Sequence, residues 1–376
     1  MVVNCALTRK FLLASSLLLF SIVILLDFLP RHISILTFQY DRAIVRPRDD
    51  REDVFVPKFK RYHDDKTEQE RLKSVDNLGR MDLIVKANSD PLPPRTFTGS
   101  AKTMCSGGKN GSDVCIPKFK QLETRLRVAD NYKLMTCIIQ KSMSTVMTAI
   151  MCYLYNERAF TEAGREFARE CTQIRFCQNK NEFGQVAGVR QAFNVTNKNE
   201  TNKWRFTMIT RDPVDRFLSG YVDKCIRIPH GSGYCNGCHR NMTCFILSEY
   251  DRIKSQLERG HLFRSFEDRH FFPQNWRCDL YREYNNYRFL RYSSDPSGTL
   301  LDDLIPILKE QDVPESSIQF IRYQLSTGRT VHSTVQSEAR TFYEQRLRSS
   351  PFLLEYIVQI FYYDYVLLKY PFPEGF

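Results

Sequence analysis

The chain has 376 residues, 42% of them hydrophobic and 26% charged, with 54 Lys+Arg against 43 Asp+Glu for a formal net charge of +11. That composition excludes a disordered, collagen-like or polytopic membrane protein. No zinc-finger, basic-zipper or RNP motif accompanies the positive charge, so nucleic acid is not an expected partner. Twelve cysteines are too many for an ordinary cytosolic enzyme and point to an oxidising compartment.

Phe11 to Leu26 is an uncharged apolar run, FLLASSLLLFSIVILL, continuing to Leu29 before Pro30. About 19 helical residues cross a hydrocarbon core of roughly 30 Å. Arg9 and Lys10 precede the run and favour a cytoplasmic N-terminus. A cleaved signal peptide would need a small-x-small site, and Leu25 to Arg31 offers none. The expected layout is a cytoplasmic tail over 1–10, an uncleaved transmembrane anchor over 11–29, and a lumenal remainder. Sequons at Asn110, Asn194, Asn199 and Asn241 agree with that orientation.

Residues 30–94 mix acidic and basic side chains with few aromatics and close on Pro91-Leu-Pro-Pro94. They read as a stem, with a short helix around Thr67–Arg80, the alternative being a peripheral packed subdomain. Most of the surplus cationic charge lies in residues 95–376. Such a body suits an anionic cofactor or polymer as well as plain solubility.

Within the body, Tyr132–Ile139 (YKLMTCII) predicts a buried strand, Gln140–Ser144 a polar turn and Thr145–Asn156 a buried helix. Arg205–Thr210 predicts a second buried strand. Asp212 then serves as N-cap and Pro213 as first residue of another helix. Repeated strand–turn–helix units predict an α/β fold with a central parallel sheet. Ser333–Tyr370 reads as helical, with a break at Ser350-Pro351.

A strand ending in a polar loop that opens a helix is a general phosphate site. The loop Cys137-Ile-Ile-Gln-Lys141-Ser-Met-Ser-Thr145 lacks the GxxxxGK[ST] pattern of nucleotide triphosphatases, and no metal-binding cage is evident. What remains is a metal-independent cradle built on Lys141.

The segment CIIQKSMSTVMTAI resembles the 5′-phosphosulfate loop of the sulfotransferases, in which PKxGST follows a strand. Arg211-Asp-Pro-Val-Asp-Arg216-Phe-Leu-Ser219-Gly-Tyr221 resembles their 3′-phosphate motif, RDPxxRxxSxY. The two stand in the family's order, about 70 residues apart. His270-Phe-Phe-Pro-Gln274 with Cys278, and the run Phe361–Tyr365, resemble the chondroitin-type membrane-bound carbohydrate sulfotransferases. The wording QKSMSTVMTAI is similar to their nematode-type branch. The resemblance covers most of residues 95–376 and implies a P-loop-like sulfotransferase fold.

It further implies 3′-phosphoadenosine 5′-phosphosulfate as donor substrate, without a metal, and a chondroitin-like glycan as acceptor, sulfated at a 4-hydroxyl in proteoglycan biosynthesis. The expected enzyme is a single-pass type II Golgi membrane protein. Lys141 would hold the 5′-phosphosulfate, lined by Ser142, Ser144 and Thr145, while Arg211 and Ser219 would grip the 3′-phosphate. Gln140 stands where the family has Pro, and Met143 where many members have Gly. These departures motivate a rival of another class, a catalytically silent lumenal glycan-binding protein.

A base must take the acceptor's proton. His270 is the first candidate, against a packed structural residue; Glu157, Glu162, Glu166, Glu170 and Glu182 are the second. Arg216 either joins the phosphate motif or pairs with Asp212 or Asp215. Tyr221 and the Phe361–Tyr365 run read as core. Cys235, Cys238, His239 and Cys244 read as disulfide chemistry rather than zinc. Cys137 and Cys152 are the expected free thiols.

Overall fold

The computed structural model describes residues 80–106, 114–170, 175–227, 234–260, 268–293, 298–327 and 337–376. The expected anchor, the stem helix up to residue 79 and the sequon at Asn110 lie outside these. Among the described residues no helix is long and apolar enough to cross a membrane. Helix α1 (Met81–Ala87) belongs to the segment that composition places in the stem, yet its Ile84 is fully buried in the body's core.

The centre of the body is a five-stranded sheet in the order β3-β1-β2-β4-β5. Its strands are β1 (Leu126–Ala129), β2 (Leu134–Cys137), β3 (Glu182–Phe183), β4 (Arg205–Arg211) and β5 (Tyr287–Tyr292). β2, β4 and β5 run parallel, with Leu134 opposite Arg205 and Phe206 opposite Tyr287. β1 is antiparallel to both β2 and β3. The sheet is therefore mixed, which corrects the all-parallel expectation. The antiparallel part is an edge hairpin. Its turn, Asp130–Tyr132, is closed by Lys133 at φ 46°, too short for a crossover helix.

Alternation along the strands sends side chains to two faces. Leu134, Ile209 and Leu290 pack with helices α2 (Ser144–Tyr155) and α5 (Thr299–Glu310). Met135, Cys137, Phe206 and Met208 point to the opposite face, where Leu368 covers them. A third apolar cluster is formed by α3 (Pro213–Tyr221), α4 (Met242–Glu258), α6 (Glu338–Arg348) and α7 (Pro351–Leu368). Tyr221 and Phe361 are core residues of this cluster, as the sequence predicts. The break between α6 and α7 falls at Ser349-Ser350, where the Ser350 hydroxyl caps α7 and Pro351 opens it.

Among the described residues five disulfides fasten the body: Cys105–Cys115, Cys137–Cys278, Cys152–Cys177, Cys225–Cys235 and Cys238–Cys244. Cys137 and Cys152 are thus bonded, contrary to the expectation of free thiols. Their partners lie 141 and 25 residues away, a pairing that spacing alone cannot disclose.

Candidate active site

β2 and β4 are adjacent and parallel, and each feeds a helix from its carboxyl end. Their two loops consequently stand side by side, where open α/β sheets bind ligands. The contact is direct: Arg211 Nη1 donates to the carbonyl of Lys141 at 3.1 Å. The two motifs, 70 residues apart in sequence, form one site.

The first loop is wound tightly enough to need left-handed backbone at Lys141 (φ 68°) and Met143 (φ 56°). That conformation costs a non-glycine residue roughly 1–2 kcal/mol. Glycine adopts it freely, and Gly is what the PKxGST pattern resembled by this loop carries at the Met143 position. Met143 offsets part of the cost by packing against the cluster around α2. As N-cap of α2 it supplies no side-chain cap. The opening amides of α2, at Ser144 and Thr145, are left for an anion, and the helix dipole favours one there.

The side chain of Lys141 is 7% exposed, and its Nζ lies 2.8 Å from Asp223 Oδ2. Burial pushes its ammonium down to about 8, with Asp223 opposing and Lys224 adding to the shift. Ser142 is fully buried and donates its hydroxyl to Gln274 Oε1 at 3.3 Å. Ser144 and Thr145, by contrast, are half-buried at the helix mouth.

Arg211 ends β4 with 3% of its surface exposed. It makes no ion pair among the described residues. Nε and Nη2 of its guanidinium are buried without a hydrogen-bond partner there, and Tyr292 lies 5.0 Å beneath. Burial depresses its basicity, only partly countered by Tyr292, Asp215 and Asp212. A buried, unpaired fork of donors is costly unless an anion completes it. The local sequence then starts α3 as expected, Asp212 accepting from the Asp215 amide at 3.0 Å ahead of Pro213. Ser219 sits two turns along, 6% exposed.

Arg216 neither joins Asp212 nor Asp215. Its Nε donates to the Gln140 carbonyl at 3.1 Å and its Nη1 to that of Phe272 at 3.0 Å, so it braces the first loop from below. Asp215 is instead held by Arg340 and Arg348.

Two residues of the site escape a search for titratable motif positions. Gln274 is fully buried. Its Oε1 accepts from the Arg211 amide at 3.0 Å, and its Nε2 donates to the Arg211 carbonyl at 2.8 Å. Together with the Ser142 bond, this ties both loops to one side chain. Asp364 on α7 fixes Gln274 in turn, accepting from the amides of Gln274 and Asn275 at 2.8 Å each. The second is Asp223, on a π-helical turn (Val222–Arg227) that prolongs α3. It follows Ser219 by four residues, the interval that places side chains on one helix face and the signal from which it is legible.

His270 lies on a short helix (Asp268–Phe271) packed on α3, where the Phe271 ring fills the space a Cβ at Gly220 would need. It is 7% exposed. The carboxylates of 157–182 serve other partners. Glu157 accepts from the Tyr132 hydroxyl, Glu162 pairs with Arg158, Glu170 with Arg165, and Glu182 with Arg127 and Arg175. Glu166 leads into the turn Phe167–Arg169. Cys235 and Cys238, beside His239, are committed to Cys225 and Cys244.

The profile of the sulfotransferase family matches residues 124–371, from the first strand to the last helix. The chain belongs to the sulfotransferase family. It is 46% identical over 313 residues to the uncharacterised protein C18B2.2 of Caenorhabditis elegans, covering 82% of this chain and 86% of that one. It is 45% identical over 283 residues to the putative sulfotransferase vep-2 of the same nematode, covering 75% and 86%. The carbohydrate sulfotransferase chst-1, also from Caenorhabditis elegans, is 29% identical over 262 residues, covering 68% of this chain and 78% of its own. No solved structure matches. The protein is a sulfotransferase, and the paired loops fall within the matched region.

Proposed function

We propose that this sulfotransferase moves sulfate from 3′-phosphoadenosine 5′-phosphosulfate to a glycan hydroxyl, with the 4-hydroxyl of chondroitin as the foremost acceptor. The observation that carries the donor assignment is the Arg211 guanidinium, buried with two nitrogens unpartnered among the described residues and hydrogen-bonded to the Lys141 carbonyl. Such a fork fits a phosphate. Arg211 and Ser219 would hold the 3′-phosphate. Lys141 and the amides of Ser144 and Thr145 would hold the 5′-phosphosulfate, with Ser142 fixed behind them by Gln274.

The donor supplies an activated sulfuryl group; the protein supplies placement and charge. Sulfuryl transfer, like phosphoryl transfer, depends on aligning nucleophile and leaving group and on neutralising charge as it develops. Lys141 would meet that charge. The glycan acceptor is supported by the relationship to chst-1, a carbohydrate sulfotransferase. We place the body in the Golgi lumen on a type II anchor. The apolar run at 11–29, the sequons and five disulfides support an oxidising, secretory location.

The test is transfer of radiolabelled sulfate from the donor to a panel of desulfated glycans, followed by disaccharide analysis. Transfer should occur to chondroitin and be lost in Lys141→Ala. Arg211→Ala should weaken donor binding by about 10- to 100-fold, since a charged hydrogen bond contributes about 1.5–3 kcal/mol. Tight glycan binding with no transfer to any acceptor would overturn the reading.

A further inference from the structure

We propose that Asp223, rather than His270 or the glutamates of 157–182, accepts the proton of the acceptor hydroxyl. The proposal rests on the sulfuryl-transfer reading of this site. Asp223 is the carboxylate that the fold places against Lys141, 2.8 Å from its Nζ, and it is only 1% exposed. Two more cations meet it on the same turn. Lys224 Nζ lies 2.9 Å from Oδ2, and Arg227 Nη1 lies 3.6 Å from Oδ1.

An acidic group at this point works against the site's first task. A negative charge beside the lysine that receives a phosphosulfate repels the donor, and burial strengthens the repulsion. The fold supplies Lys224 and Arg227 to offset it, and Arg211 stands near enough to Lys141 to lower its basicity. Three cations around one carboxylate, with Arg211 beside Lys141, keep the site electropositive while preserving the acid. A π-helical turn is itself uncommon and concentrates at functional sites. The disulfide Cys225–Cys235 anchors the turn from its middle.

The step balances as follows. The acceptor oxygen forms the new S–O bond while the bond from sulfur to the bridging 5′-phosphate oxygen breaks. Its electron pair goes to that oxygen, beside the Lys141 ammonium. The hydroxyl proton passes to Asp223 Oδ2, and the resulting carboxylic acid returns it to water. Lys141, on turning to the donor, gives up its contact with Oδ2, so the lysine that steadies the leaving group also removes one of the cations that hold down the basicity of the carboxylate.

The experiment compares the full-length wild type with Asp223→Asn, measuring turnover on the responsive glycan and affinity for adenosine 3′,5′-bisphosphate. Asp223→Asn should lower kcat at least a hundredfold, within the range of about 10²–10⁴ for a positioned base. Bisphosphate affinity should stay within threefold of wild type or rise. In Asp223→Ala, added carboxylates should restore turnover in the order of their basicity, acetate above formate, as proton transfer requires and a missing counter-ion does not. Turnover of Asp223→Asn within tenfold of wild type overturns the proposal. So does loss of bisphosphate binding in step with kcat, or failure of Asp223→Asn to fold, since Asp223 is then a counter-ion for the cations. A hundredfold loss in His270→Ala with none in Asp223→Asn returns the proton to His270. A wild type that transfers to no acceptor overturns the underlying reading and this proposal with it; an active wild type and an active Asn variant overturn the proposal alone.

Discussion

Gln274 holds both motif loops through one amide, and its removal gives the sharpest test of how the site is built. Gln274→Met keeps the side chain's length and near volume while deleting all three hydrogen bonds. The amide and carbonyl of Arg211 would then be buried without partners at the end of β4. Each such group costs about 1–3 kcal/mol. The pair predicts a loss of about 2–6 kcal/mol, with little cavity penalty to confuse it. At roughly 2–4 °C per kcal/mol for a body of this size, the melting temperature should fall by at least ~4 °C. Arg211 and Ser142 would also lose their common anchor, so affinity for adenosine 3′,5′-bisphosphate should drop about tenfold. Thermal unfolding and bisphosphate titration of the full-length protein in detergent measure the two effects. A variant that melts with the wild type and binds equally well would show that the loops hold their spacing without Gln274.

Two further outcomes follow from the same geometry. Lys141 must be protonated to bind an anion, and burial has brought it down to about 8 in the donor-free protein. Bisphosphate affinity should therefore be flat below about pH 7 and weaken above pH 8 by up to about tenfold per unit, the limit for uptake of one proton. A flat profile to pH 9.5 would refute the role given to Lys141. Asn194 and Asn199 are exposed, so in a secretory cell Asn194→Gln and Asn199→Gln should each remove one glycosidase-sensitive step of gel mobility. Identical mobility of wild type and both variants, with and without glycosidase, would refute a lumenal body.

What the sequence discloses and what it conceals divide along the range of the interactions involved. The Asp212 cap, Pro213 and the break at Ser350-Pro351 are set by neighbours within a turn, and the structure places them where local chemistry puts them. Strands β2 and β4 are legible because they are buried on both faces and built mostly from apolar and β-branched residues. β1 is not. It is four residues long and carries Arg127, made tolerable inside the sheet by Glu182, 55 residues further on. The site divides in the same way. Lys141 and Arg211 announce themselves by motif, whereas Gln274 is a neutral amide whose value lies in offering a donor and an acceptor at once. Nothing in HFFPQ favours the amide over the histidine until β4 is seen to end beside it. Cys137–Cys278 makes the same point covalently, tying the end of β2 to the segment that delivers Gln274. The motifs supply the charges, and the Gln274 amide holds the two loops that carry them together. A chain could keep both motifs and still be inactive through changes at Gln274, Asp364 or Asp223, so those three positions are where loss of activity in related chains should first be sought.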